Sequence, residues 1–226
     1  MSQPAFSTSP YATAREAMVV SQLYPSGIVN EAVLAAYRAT PRELFVPSDR
    51  QAVCYLDSDV ALANGRTLLE PLVHALMVEN AQIKKTDKVL DIGGVTGYSA
   101  AILAQLCKAV VAVEPDHDAL EVAQSLWQKL GFTNIMAVSA PVADGCAAYA
   151  PYDVILVNGA LPSVPQSLQD QLAPSGRLLC IEAGTSTSVG HIKLYTKQGN
   201  TFSAAVIADA SVPYLPGCTP LPAFTF

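Results

Sequence analysis

Residues 88–98 read Lys-Val-Leu-Asp-Ile-Gly-Gly-Val-Thr-Gly-Tyr. Lys88 to Ile92 reads as a short strand whose apolar run after Lys88 is broken only by Asp91, the pattern of a strand covered on both faces. Glycines follow at 93, 94 and 97, and a helical pattern begins at Ser99. A strand that passes through a glycine turn into a helix exposes backbone amides near the helix N-terminus, and the missing Cβ atoms let a ligand lie against them. Asp91 either caps this turn or faces the crevice beyond it. The second reading is favoured, because the acid closes an apolar strand.

The next strand, Ala109 to Val113, runs into Glu114-Pro115-Asp116. In an open parallel sheet, ligands lie beyond the carboxyl ends of the strands, where an acid can accept hydrogen bonds from both hydroxyls of a ribose. Glu114 opposite the glycine turn therefore points to an adenosine-containing cofactor, with Asp91, Gly93, Gly94, Gly97 and Glu114 as candidate contacts. A dinucleotide site prefers the spacing GxGxxG, whereas here the glycines follow an acid at 91.

Further out, strand and helix patterns alternate. Ser99 to Leu106 and Ala119 to Leu130 read as helices, Asn134 to Val138 and Val154 to Val157 as strands, Ser167 to Leu172 as a helix and Gly176 to Ile181 as a strand. Strands separated by helices predict a doubly wound, mostly parallel α/β sheet with right-handed crossovers. His191 to Thr196 and Phe202 to Ala208 read as a hairpin about Gln198-Gly199-Asn200. On the N-terminal side, 12–24 and 30–40 carry helical spacing on either side of Pro25-Ser26-Gly27, 57–67 suits extended or loop structure, and Pro71 opens another helix. The expected organisation is one structural unit, with residues 1–80 as a helical and loop annex and 81–226 as the α/β domain.

The 226 residues suffice for one generous core, and hydrophobic residues make up 51% of them. With a mean hydropathy of +0.31, the chain is far from the disordered class. No apolar run approaches the roughly 20 residues of a membrane span, and the start MSQPAFSTSPYATARE lacks a basic segment followed by an apolar one, so the expected location is the cytoplasm. The net charge of -6 and pI near 4.9 disfavour a broad nucleic-acid footprint. Cys54, Cys107, Cys146, Cys180 and Cys218 are odd in number and scattered, which argues against a disulfide framework or a zinc site. His74 on a mainly apolar helix reads as a packing residue, as does Tyr98, while His117 and His191 read as surface residues. The Pro-rich end SVPYLPGCTPLPAFTF has no readable periodicity and leaves the oligomeric state open.

The turn with its leading acid and closing Gly97-Tyr98 resembles motif I of S-adenosylmethionine-dependent methyltransferases, and further segments resemble the protein-L-isoaspartate O-methyltransferase family. They are Met18 to Asn30, Thr40-Pro41-Arg42-Glu43-Leu44-Phe45-Val46-Pro47, Gly65-Arg66-Thr67-Leu68-Leu69-Glu70-Pro71, Pro151-Tyr152-Asp153-Val154-Ile155 and Val164-Pro165-Gln166-Ser167-Leu168. The resemblance implies a Rossmann-like methyltransferase fold, S-adenosylmethionine as cofactor, and protein repair begun by carboxyl methylation of isoaspartyl residues in damaged proteins or peptides. It places Thr67 on the catalytic, acceptor side, and Arg66 beside it, also a catalytic candidate, is expected to pair with a substrate carboxylate, as guanidinium groups do. Three departures stand out. Val95 replaces a motif I glycine, Ala140-Pro141-Val142 replaces a Gly-Asp-Gly whose acid meets the adenine, and Leu69 replaces a substrate-side serine. They keep two alternatives open: a family member acting as a non-catalytic binding module, or a methyltransferase with a different acceptor.

Overall fold

The computed structural model describes residues 10–184, 189–199 and 201–220. The first nine residues, Asn200 of the expected hairpin turn and residues 221–226 of the Pro-rich end lie outside the described residues. Seven strands form one sheet in the order β5-β4-β3-β6-β7-β8-β9. They are β3 (Lys88–Ile92), β4 (Ala109–Val113), β5 (Ile135–Val138), β6 (Tyr152–Leu161), β7 (Leu172–Glu182), β8 (His191–Gln198) and β9 (Thr201–Asp209). The first five pair in parallel with one another, whereas β8 and β9 add an antiparallel hairpin beside β7 at one edge. A separate two-stranded ribbon pairs β1 (Val60–Ala61) with β2 (Thr67–Leu68).

Among the described residues there are six α-helices: α1 (Pro10–Met18), α2 (Glu31–Ala39), α3 (Pro71–Ala81), α4 (Tyr98–Ala104), α5 (His117–Lys129) and α6 (Gln166–Asp170). Alternate strand residues divide between two cores. Val89, Val110, Ala112 and Val154 pack with α3, α4, α5 and the annex helices, while Leu90, Val111, Val113 and Ile155 pack with Leu168 of α6 and with Leu215. This division is the geometric result of the two-residue side-chain period in a sheet covered on both faces. Helix α5 shows the complementary logic, burying Leu120, Ala123 and Trp127 on one stripe while Asp116 caps its start.

Several boundaries differ from the sequence reading. The first annex helix ends at Met18 and continues as a wider π turn over Val19–Leu23. Strand β6 runs on through Asn158-Gly159-Ala160 to Leu161, because the Asn158 amide finds partners on β3 and so stays within the sheet. Strand β7 starts at Leu172 and α6 stops at Asp170, with a register shift between Leu172 and Arg177, which pair with Tyr152 and Val154. Among the described residues no helix is long and apolar enough to cross a membrane.

Candidate cofactor crevice

Strand order reverses at β3, whose neighbours are β4 on one side and β6 on the other, so the crevice lies at the carboxyl ends of β3 and β6. Gly93 (φ 71°) and Gly97 (φ 83°) make the turn out of β3, and Gly93 N–H is tied to Val113 O at 2.9 Å. At Gly97 the absent side chain is explained by the protein itself. A Cβ there would lie 2.5 Å from Trp127 Cζ2, and the indole Nε1–H donates to Gly97 O at 2.8 Å. At Gly94 a Cβ would lie 3.0 Å from Asp91 Oδ2. Val95 sits at φ 45°, in the left-handed region that a β-branched residue enters only with strain. The turn has therefore kept a glycine-type backbone with a valine in it.

Asp91 is 1% exposed, and its Oδ1 accepts from Ser99 Oγ at 2.6 Å and Asn158 Nδ2 at 2.7 Å. Burial nevertheless pushes its carboxyl up to about 6. Ser99 Oγ also lies 3.0 Å from His74 Nε2, and His74 Nδ1 lies 2.6 Å from the Tyr37 hydroxyl. Burial first, then the Arg42 guanidinium, push the imidazole down to about 3, so it is neutral near pH 7. Since Ser99 donates to Asp91, a neutral His74 donates through Nε2 to Ser99 and accepts at Nδ1 from Tyr37. One directed chain of hydrogen bonds thus runs from α2 through α3 and α4 to the acid at the end of β3. His74 does more than pack.

Glu114, at the end of β4, is buried. Arg66 Nη1 donates to its Oε1 at 2.6 Å and Arg66 Nη2 to its Oε2 at 3.0 Å, while Nη2 also reaches Gly93 O at 3.1 Å. Backbone N–H groups of Asp116 (3.2 Å) and Val95 (3.0 Å) complete the shell of the carboxylate. Arg66, expected to meet a substrate carboxylate, instead grips the chain's own acid in a buried, bidentate pair. The β1–β2 ribbon delivers it. Asn64 and Gly65 turn the chain in left-handed conformations, Leu62 N–H bonds to Arg66 O at 2.8 Å, and Asn64 Nδ2 reaches Asp116 Oδ2 at 3.3 Å.

From the other side Leu215 closes over the glycines. A Cβ at Gly93 would lie 2.8 Å from Leu215 Cδ2, and one at Gly159 would lie 2.7 Å from the same atom. Leu215 is held there by backbone bonds to β6, from Ala160 N–H to Pro213 O and from Leu215 N–H to Ala160 O, both 3.0 Å. Thr67 lines the two small cavities that remain between these groups, with Asn158 and Leu69. Each has a volume of about 10 Å³, as has a third beneath Gly94, Val95 and Glu114. Each leaves room for about one water, whereas a cavity of about 500 Å³ borders the outer side of the same turn at Val95 and Thr96, with Leu62, Asn64 and Asp116 in its lining.

Sequence reasoning located the acids and the glycine turn but missed Ser99, Asn158, Tyr37 and Leu215. The available signals were a polar residue near the end of an apolar strand (Asn158) and a hydroxyl one turn into the motif helix (Ser99). Of the three departures, Leu69 is buried behind Thr67, and no acid stands at Ala140-Pro141-Val142 just beyond β5.

The sequence profile described as Protein-L-isoaspartate(D-aspartate) O-methyltransferase (PCMT) matches residues 14–218. A Protein-L-isoaspartate O-methyltransferase of Methanoculleus marisnigri is 39% identical over 204 residues, covering 89% of this chain and 91% of its own length. Another, of Roseiflexus sp., is 36% identical over 208 residues, with 92% and 94% covered. Among solved structures, a protein-L-isoaspartate O-methyltransferase superposes with a TM-score of 0.79 at 26% identity, covering 90% of this chain and 66% of that one. A Plasmodium falciparum protein of the same description, solved in complex with S-adenosyl-L-homocysteine, gives a TM-score of 0.75 at 17% identity over 91% of this chain and 97% of that one, a likeness of fold.

Proposed function

The chain belongs to the protein-L-isoaspartate(D-aspartate) O-methyltransferase family, and from that membership we propose that it methylates the carboxylate of isoaspartyl residues in damaged proteins, with S-adenosylmethionine as the methyl donor. The observation that carries this reading is the match across residues 14–218 together with Asp91 and Glu114 at the carboxyl ends of adjacent parallel strands. Asp91, Gly93, Gly94, Gly97 and Glu114 are the proposed cofactor contacts.

In the folded chain these residues are of the right kind, but the space over Gly93 and at the Glu114 carboxylate is filled by the chain's own side chains. Both Glu114 oxygens are taken by Arg66, and Leu215 fills the cradle over Gly93 and Gly159. The chemistry asks little acid–base work of the protein, because an acceptor carboxylate is already ionised at neutral pH. What the chain supplies is position and exclusion of water. Thr67, on the short strand β2, lines the small cavities beside Asn158 and is the proposed hydroxyl on the acceptor side, and Arg66 reaches an acceptor carboxylate only when it lets go of Glu114.

Transfer of labelled methyl from S-adenosylmethionine to an isoaspartyl peptide, beside the same peptide with ordinary aspartate, tests the proposal. Base-labile label on the isoaspartyl peptide alone is expected. Label on a small-molecule acceptor instead would replace the substrate, and label on nothing at millimolar donor would leave a non-catalytic member of the family.

A further inference from the structure

We infer that Arg66 and Leu215 act as an internal surrogate for the cofactor, so that affinity for an adenosyl ligand is set by how readily residues 62–66 and 213–217 release the crevice. The inference rests on the methyltransferase reading and deepens it. The guanidinium brings two N–H donors to the two Glu114 oxygens, the same number of donors that a ribose brings with its two hydroxyls. Its second contact, to Gly93 O, places it against the turn where the backbone of a nucleoside site must be bare. Leu215 supplies the apolar half, filling the space that the absent side chains of Gly93 and Gly159 leave.

Both pieces are anchored from outside the crevice. Arg66 is carried by a tight hairpin whose Asn64 is bonded to Asp116 at the start of α5, and Leu215 by the paired amides and carbonyls of Pro213, Leu215 and Ala160. Withdrawing Arg66 alone would strand a buried carboxylate, so release is favourable only when a ligand brings replacement donors. The closed form then competes directly with the ligand, and apparent affinity falls by the fraction of molecules that are open. Arg66 and Leu215 are affinity-determining residues on this account, and the strength of their contacts tunes the site.

Calorimetric titration of S-adenosylhomocysteine, an unreactive probe, into the full chain and into Arg66→Gln, Leu215→Ala and the double variant separates the possibilities. The variants are expected to bind at least about tenfold more tightly than the parent, at unchanged circular dichroism. Leu215→Ala leaves the ion pair intact and decides the matter if Arg66→Gln does not fold. A parent that binds as tightly as its variants overturns the surrogate and leaves the methyltransferase reading standing. Folded proteins none of which bind at millimolar probe overturn both.

Discussion

Asp91 accepts two side-chain hydrogen bonds, yet its carboxyl is pushed up to about 6 from an ordinary 3.8, because burial outweighs what Ser99 and Asn158 return. Between those two pH values the folded chain holds a proton that the unfolded chain has released, so this group makes stability fall as pH rises. His74 acts in the opposite sense. Its folded imidazole titrates near 3, below the ordinary 6.5, so it makes stability rise with pH over that window. A comparison that leaves His74 in place isolates the acid. Relative to Asp91→Asn, the parent should lose about 2 kcal/mol of unfolding free energy between pH 4 and pH 7, read from urea denaturation at each pH; a constant difference would contradict the buried-carboxyl account.

Val95 poses a contest of similar magnitudes. Its left-handed backbone stores about 1–2 kcal/mol, and its buried side chain contributes about the same through apolar burial. Val95→Gly should therefore lie within about 1 kcal/mol of the parent, whereas Val89→Gly, at a fully buried position of β3, should cost about 3 kcal/mol or more. Equal losses at the two positions would refute the strain argument. At this scale the site's acids and glycines were readable because residue type and position along a strand define them. The role of Arg66 was not, since its partner Glu114 lies 48 residues away and only the folded hairpin brings the two together.

At the scale of elements, helices announced themselves through spacing and caps. Asn30 ends the annex turn, and its Oδ1 accepts from the N–H groups of Ala32 at 2.9 Å and Val33 at 3.4 Å. Asn30→Ala should cost about 1 kcal/mol in chemical denaturation, the usual value for a lost N-cap, and no change would mean that water replaces it without loss. Strand limits were less legible. Asn158 and Gly159 carry loop-like residue types inside β6, and nothing local shows that Asp91 and Ile92 O will satisfy the amide. The pairing of Pro213 and Leu215 with Ala160 was equally hidden, because an isolated bridge has no periodicity to read.

For the molecule as a whole, the alternation of strands and helices fixed the parallel sheet and with it the location of the crevice, a consequence of right-handed crossovers rather than of any single residue. What the alternation leaves open is whether the crevice stands open or closed, since that depends on the β1–β2 ribbon before the sheet and on the chain segment after it. The two meet over β3 and β6 from opposite ends of the sequence, and both belong to the same account of function: a family methyltransferase whose cofactor must displace the protein's own side chains.

Amide hydrogen exchange at Leu215 and Ala160, with and without saturating S-adenosylhomocysteine, reads that displacement directly. Both amides are bonded between β6 and the C-terminal segment in the free chain and should exchange slowly there, and bound ligand should speed exchange at Leu215 as the segment lifts. Ligand that binds while Leu215 stays equally slow, or becomes slower, would contradict the account.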